Sequence, residues 1–149
     1  MSPDSNAPLS RFLYEDVDPN LLSPLDLAFL GDCVYELFVR EKLICEANRP
    51  NSELHARKVR LVNAGAQEAA AKQIAPVLTE KEQSIYRRGR NAHTHHTPKN
   101  ASVASYHAAT GFEALVGYLY LNGELDRLRE LFDLIYEGQK NGQTDGKSL

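Results

Sequence analysis

Two acids interrupt stretches that otherwise read as buried helix. Asp32 sits in the run Leu30-Gly31-Asp32-Cys33-Val34-Tyr35-Glu36, and Glu113 is the one charged group between Gly111 and Leu121. An ionised carboxylate in an apolar helix is costly unless it is paired, hydrogen-bonded or bound to metal. The two acids are therefore candidates for a single shared metal site. The other reading satisfies each of them with an arginine or a backbone amide. Two carboxylates make a hard oxygen donor set, which selects Mg²⁺, with Mn²⁺ as a substitute, over zinc. Such an ion suits a phosphodiester substrate, because it neutralises the phosphate and stabilises the leaving oxygen. Glu36, one turn beyond Asp32, reads either as a supporting acid behind that site or as a surface partner of Arg40.

A second feature is cationic. No Asp or Glu occurs from Gln83 to Phe112, a span that holds Arg87, Arg88, Arg90 and Lys99 together with His93, His95, His96 and His107. A local positive surface can exist on a chain whose net charge is −3, and it would suit a polyanion. Arg87, Arg88, Arg90 and Lys99 are the candidate phosphate contacts, with a solvated basic loop as the plainer reading. The net charge itself argues against a protein that coats nucleic acid indiscriminately. His93, His95 and His96 lie in a stretch without an acid or thiol and read as a solvated or ligand-facing loop in preference to a metal-binding tract. His107 reads as a hydrogen-bonded structural histidine, and Tyr35, Tyr118 and Tyr120 as core or interface residues.

The elements that must carry these groups are all helical. Ser23-Pro24-Leu25-Asp26 supplies an N-cap, a proline at the first helical position and an acid in the first turn. It opens a helix to about Leu43 with a core stripe of Leu27, Leu30, Val34, Leu37 and Phe38. Asn51 or Ser52 caps a second helix through about Ile74. Thr79-Glu80-Lys81-Glu82 is a capping box for a third, which frays near Gly89 to Asn91. A nearly apolar helix from Ser102 to Asn122 is the central one, and Glu124 to Glu137 is amphipathic and ends at Gly138. No strand-like alternation competes, so the class is all-α.

At 149 residues, 42% of them hydrophobic, the chain can bury about two-thirds of its unfolded surface, enough for one core. The expected layout is a flexible leader over 1–20, one domain over 21–138 and a disordered tail over 139–149. Cys33 and Cys45 form no CxxC pair and read as small core or boundary residues. With neither a signal-peptide pattern nor a bilayer-length apolar run, a cytoplasmic location without membrane contact is expected.

Taken in order, the Leu30-Gly31-Asp32 helix, Arg88-Gly89-Arg90-Asn91, Thr97-Pro98-Lys99-Asn100 and Phe112-Glu113-Ala114-Leu115 resemble the ribonuclease III family. The likeness runs from about Leu22 to Gly138 and is to the short form, Mini-ribonuclease III, which consists of the catalytic domain alone. It implies a homodimeric, all-helical, Mg²⁺-dependent endonuclease that cuts double-stranded RNA and matures the ends of 23S ribosomal RNA precursors, with a ribosomal protein as a conceivable accessory partner. By the family pattern Asp32 and Glu113 are the catalytic metal ligands. Two further acids of the longer enzymes, one turn before each of these, are replaced here by Ala28 and Thr110. A catalytically inactive relative that binds double-stranded RNA, and a helical protein-interaction module, stand as alternatives; retention of both acids favours the enzyme.

Overall fold

The computed structural model describes residues 17–92 and 102–145, with side chains to residue 140. Six α-helices carry the fold, and no strand occurs among the described residues. They are α1 (Pro24–Glu46), α2 (Asn51–Val62), α3 (Ala64–Ile74), α4 (Glu80–Arg90), α5 (Val103–Leu121) and α6 (Leu125–Asp145). The all-α expectation holds.

Local chemistry sets most of the boundaries. Ser23 Oγ accepts from the Asp26 amide at 3.1 Å ahead of Pro24, and Thr79 and Glu82 form the reciprocal capping box of α4. The single helix expected over 51–74 is two. Asn63 is extended, and its Oδ1 accepts from the Ala66 amide at 2.8 Å, so it starts a new helix where apolar spacing alone suggests continuity.

Both expected domain edges shift. Asp18 caps a short 3-10 turn over Pro19–Leu21, Pro19 is buried, and Asn20 Oδ1 accepts from the Tyr118 hydroxyl at 3.2 Å. The described fold therefore includes part of the expected leader, of which residues 1–16 lie outside the described residues. At the other end α6 runs past Gly138 to Asp145. That glycine is a packing residue: a Cβ there would meet Gln73 Cδ of α3 at 2.8 Å.

The centre is α5, which packs against α1, α3, α4 and α6 and is buried almost without interruption from Ala108 to Leu119. Tyr35 meets Phe112 edge-on at 4.9 Å, and Phe38 stacks on Phe132 at 4.3 Å. The buried side of α1 is Leu27, Ala28, Gly31, Tyr35, Val39 and Leu43. This corrects the expected stripe, because Leu37 is 61% exposed. Apolar residues occupy both sides of α1, so periodicity could not tell the core side from the free side. Both cysteines are exposed rather than core or boundary residues. No described helix is long and apolar enough to cross a membrane.

Candidate active site

Two glycines decide how α1 meets α5. A Cβ on Gly31 would collide with the Glu113 carbonyl, and one on Gly117 with the Leu27 carbonyl. Without side chains there, the two backbones come into direct contact. Asp32 follows Gly31 on α1, so the crossing carries its carboxylate to the edge of α5 where Glu113 projects.

The two acids line one cleft of about 550 Å³ with Leu25, Ala28, Phe29, Leu30, Cys33, Tyr106 and Thr110. Asp32 is exposed and Glu113 partly buried, which corrects the expectation that both lie in a buried helix. The apolar residues flanking Asp32 belong partly to the free side of α1. Burial, then the charge of Asp32, then a hydrogen bond with Asp32 push the Glu113 carboxyl up to about 9. No arginine or lysine among the described residues offsets that shift. The arginine pairing that one form of the structural reading supplies is therefore not seen at Glu113 among the described residues. A shared proton, or a hard divalent cation, would relieve the repulsion. An all-oxygen donor pair opening on a solvent-accessible cleft fits such an ion, and Asp32 and Glu113 are the residues that could hold it.

Glu36 is not part of the cleft lining. It accepts from Arg40 Nε at 3.2 Å, and its other oxygen lies 3.5 Å from Lys58 Nζ of α2, the paired alternative. The Lys58 contact had no signal in the sequence, since it depends on how α2 folds back on α1. His107 is outside the lining too, and its buried Nδ1 has no hydrogen-bond partner among the described residues.

Arg87, Arg88 and Arg90 form the exposed last turn of α4. None has a carboxylate partner among the described residues, and Arg90 leans over the Tyr86 ring at 5.9 Å. Gly89 between them is buried on α5. A Cβ there would stand 2.8 Å from Gly111 Cα and from Ala114 Cβ. That contact fixes the cationic turn beside the segment that carries Glu113. Lys99, His93, His95 and His96 lie outside the described residues.

The ribonuclease III domain family matches residues 25–124, a span that includes both acids and the α4 arginines. The chain belongs to the ribonuclease III family. Mini-ribonuclease 3 of Thermoanaerobacter sp. strain X514 is 50% identical over 113 residues, 76% of this chain and 80% of the relative. That of Symbiobacterium thermophilum is 48% identical over 126 residues, 85% of this chain and 97% of the relative. A crystal structure of a Fusobacterium nucleatum protein superimposes with a TM-score of 0.73 at 30% identity, covering 83% of this chain and 99% of that one. Ribonuclease III enzymes are in general metal-dependent and act on double-stranded RNA, so the cleft between α1 and α5 lies in a domain built for phosphodiester chemistry.

Proposed function

We propose that this ribonuclease III family member is a Mg²⁺-dependent, homodimeric endoribonuclease that cleaves double-stranded RNA, with Asp32 and Glu113 as its metal ligands and the 23S ribosomal RNA precursor as its natural substrate. One observation carries the reading: two carboxyls from helices far apart in sequence converge in one open cleft without a compensating basic side chain among the described residues. The bound ion would supply a water of lowered pKa and charge neutralisation at the phosphate. Asp32 and Glu113 hold the charge that recruits it, and neither has to act as a proton acceptor. Arg87, Arg88 and Arg90 bind RNA backbone phosphates and orient the duplex over the cleft, and Lys99 adds to that surface. A-form shape and 2′-hydroxyls, rather than base edges, suit such contacts. The substrate assignment rests on the resemblance to the short form.

The homodimer reading has its own support. Phe29 is 85% and Leu37 61% exposed, Leu25 and Ile44 also face solvent along α1, and Leu21 is exposed on the 3-10 turn that precedes it. Phe29 also lines the cleft. A second copy docked on this face by a two-fold axis would bury the stripe and present one cleft to each strand of a duplex.

The test uses purified protein, a duplex RNA substrate, and either Mg²⁺ or a chelator. Cleavage that requires Mg²⁺ and is lost in Asp32→Asn and Glu113→Gln, with helical content and dimer retained, is the expected result. Duplex binding without cleavage in the wild type would establish the inactive RNA-binding alternative. Phe29→Asp should sediment as a monomer, and full activity in that monomer would remove the dimer from the proposal.

A further inference from the structure

Thr110 occupies the wall of the cleft one helical turn before Glu113 and is 7% exposed. Its Oγ1 donates to the Tyr106 carbonyl at 3.0 Å. A hydroxyl has a single proton and two lone pairs, so with that proton committed along the helix the oxygen can act only as an acceptor. The phosphates of the RNA accept hydrogen bonds themselves and cannot donate to it. It is well matched to water in the hydration shell of a cation, which is polarised toward donating.

The shortage of ligands gives this match its importance. Among the described residues no group of three or more His, Cys, Asp or Glu side chains is assembled to hold a metal ion. Mg²⁺ takes octahedral coordination and keeps several waters when few carboxylates are available. Those waters need acceptors to hold them in place. Ala28, on the opposite wall of the cleft, has no side-chain polar atom. The polar side chains that α5 contributes to the lining are Tyr106, Thr110 and Glu113, and of the first two the Thr110 hydroxyl lies nearer to Glu113 along the helix.

We propose that Thr110 is a positioning residue of this active site, whose hydroxyl accepts a hydrogen bond from a water in the hydration shell of the divalent cation. The proposal rests on the reading that Asp32 and Glu113 bind that cation. The position then performs through a water what a direct carboxylate ligand would do, and it leaves the site with one negative charge fewer facing the RNA phosphate. A purely structural threonine would use the same bond to Tyr106 only to satisfy its own buried hydroxyl, and replacing it with valine would leave metal binding unchanged.

Mn²⁺ binding to the RNA-free dimer, followed by electron paramagnetic resonance of the free ion and by water-proton relaxation, separates the two. Thr110→Val keeps the shape and removes the acceptor, while Thr110→Ser keeps the acceptor. The expected result is roughly tenfold weaker Mn²⁺ binding in Thr110→Val, the lower end for loss of an outer-shell partner, with faster exchange of bound water and an unchanged melting temperature. Thr110→Ser should stay near wild type, and Thr110→Ala against Thr110→Ser must agree in direction. Equal binding by Thr110→Val and wild type, with Asp32→Asn unable to bind, would overturn the role of Thr110 and leave the metal site standing. Undiminished binding by Asp32→Asn would overturn both.

Discussion

Gly31 of α1 lies directly against the backbone of Glu113 in α5, with no room for a side chain between them. The contact joins the residue that precedes one candidate metal ligand to the other ligand itself. Helix approach and site geometry are therefore the same variable, and any group added at Gly31 widens the cleft as it separates the helices.

Gly31→Ala should accordingly cost stability and activity together. Overpacking of this kind costs about 1–3 kcal/mol, which a thermal melt would register as a lower transition temperature. Cleavage measured well below that transition should fall far more than the folded fraction does, because the two carboxyls no longer share one cleft. Wild-type activity in a destabilised Gly31→Ala protein would show that the close contact is dispensable for the site.

The raised Glu113 pKa gives the metal-free protein a defined pH response. Its carboxyl moves from 4.5 to about 9 on folding, so between those values the native state holds a proton that the unfolded chain has released. Stability then falls as pH rises through this window and levels off above it. Melting curves in chelator should show that decline, and Glu113→Gln should flatten it. Added Mg²⁺ should raise the melting temperature more at about pH 8 than at about pH 6, since it takes the place of the proton.

Arg127 of α6 clamps α4. Its Nε and Nη2 each donate to a Glu82 carboxylate oxygen at 2.9 Å, and Nη2 also donates to the Val77 carbonyl at 2.7 Å. Glu82 is only 5% exposed. The hydrogen bond from Arg127 is the largest cause holding its carboxyl below the usual range. The stability this confers is present above the ordinary glutamate pKa and is lost as pH falls through the lower, folded value. Arg127→Ala, which strands the buried carboxylate, should cost about 3 kcal/mol. Arg127→Met combined with Glu82→Leu should cost less than the sum of the single changes, measured by denaturant unfolding.

Replacing Arg87, Arg88 and Arg90 with alanine should weaken duplex RNA binding while the fold persists, because the three side chains are exposed and lack carboxylate partners among the described residues. Each lost phosphate contact should flatten the log–log dependence of affinity on salt by about 0.9 unit, a value carried over from B-form DNA. An unchanged slope would assign these arginines to solvent.

The helical class, the Ser23 and Thr79 caps, the central position of α5 and the two odd acids could all be read directly from residue order. Each depends on neighbours within a few positions, where capping chemistry and hydrophobic period act. The domain edges were less legible. Asn20 is anchored by Tyr118, and Gly138 by its approach to Gln73, and neither partner is near in sequence.

Residue order by itself determined which groups are the candidates for the chemistry, Asp32, Glu113 and the arginine run, because charge and side-chain type are properties of single positions. Only the tertiary structure decided that Asp32 is exposed, that burial and the neighbouring Asp32 raise the pKa of Glu113, that Glu36 is spent on Arg40 and Lys58, and that Thr110 faces the same cleft. Those outcomes depend on the rotation of each helix about its axis and on its separation from its neighbours. For α1, apolar on both sides, periodicity leaves the rotation open, and the Gly31 and Gly117 contacts across the α1–α5 crossing settle it.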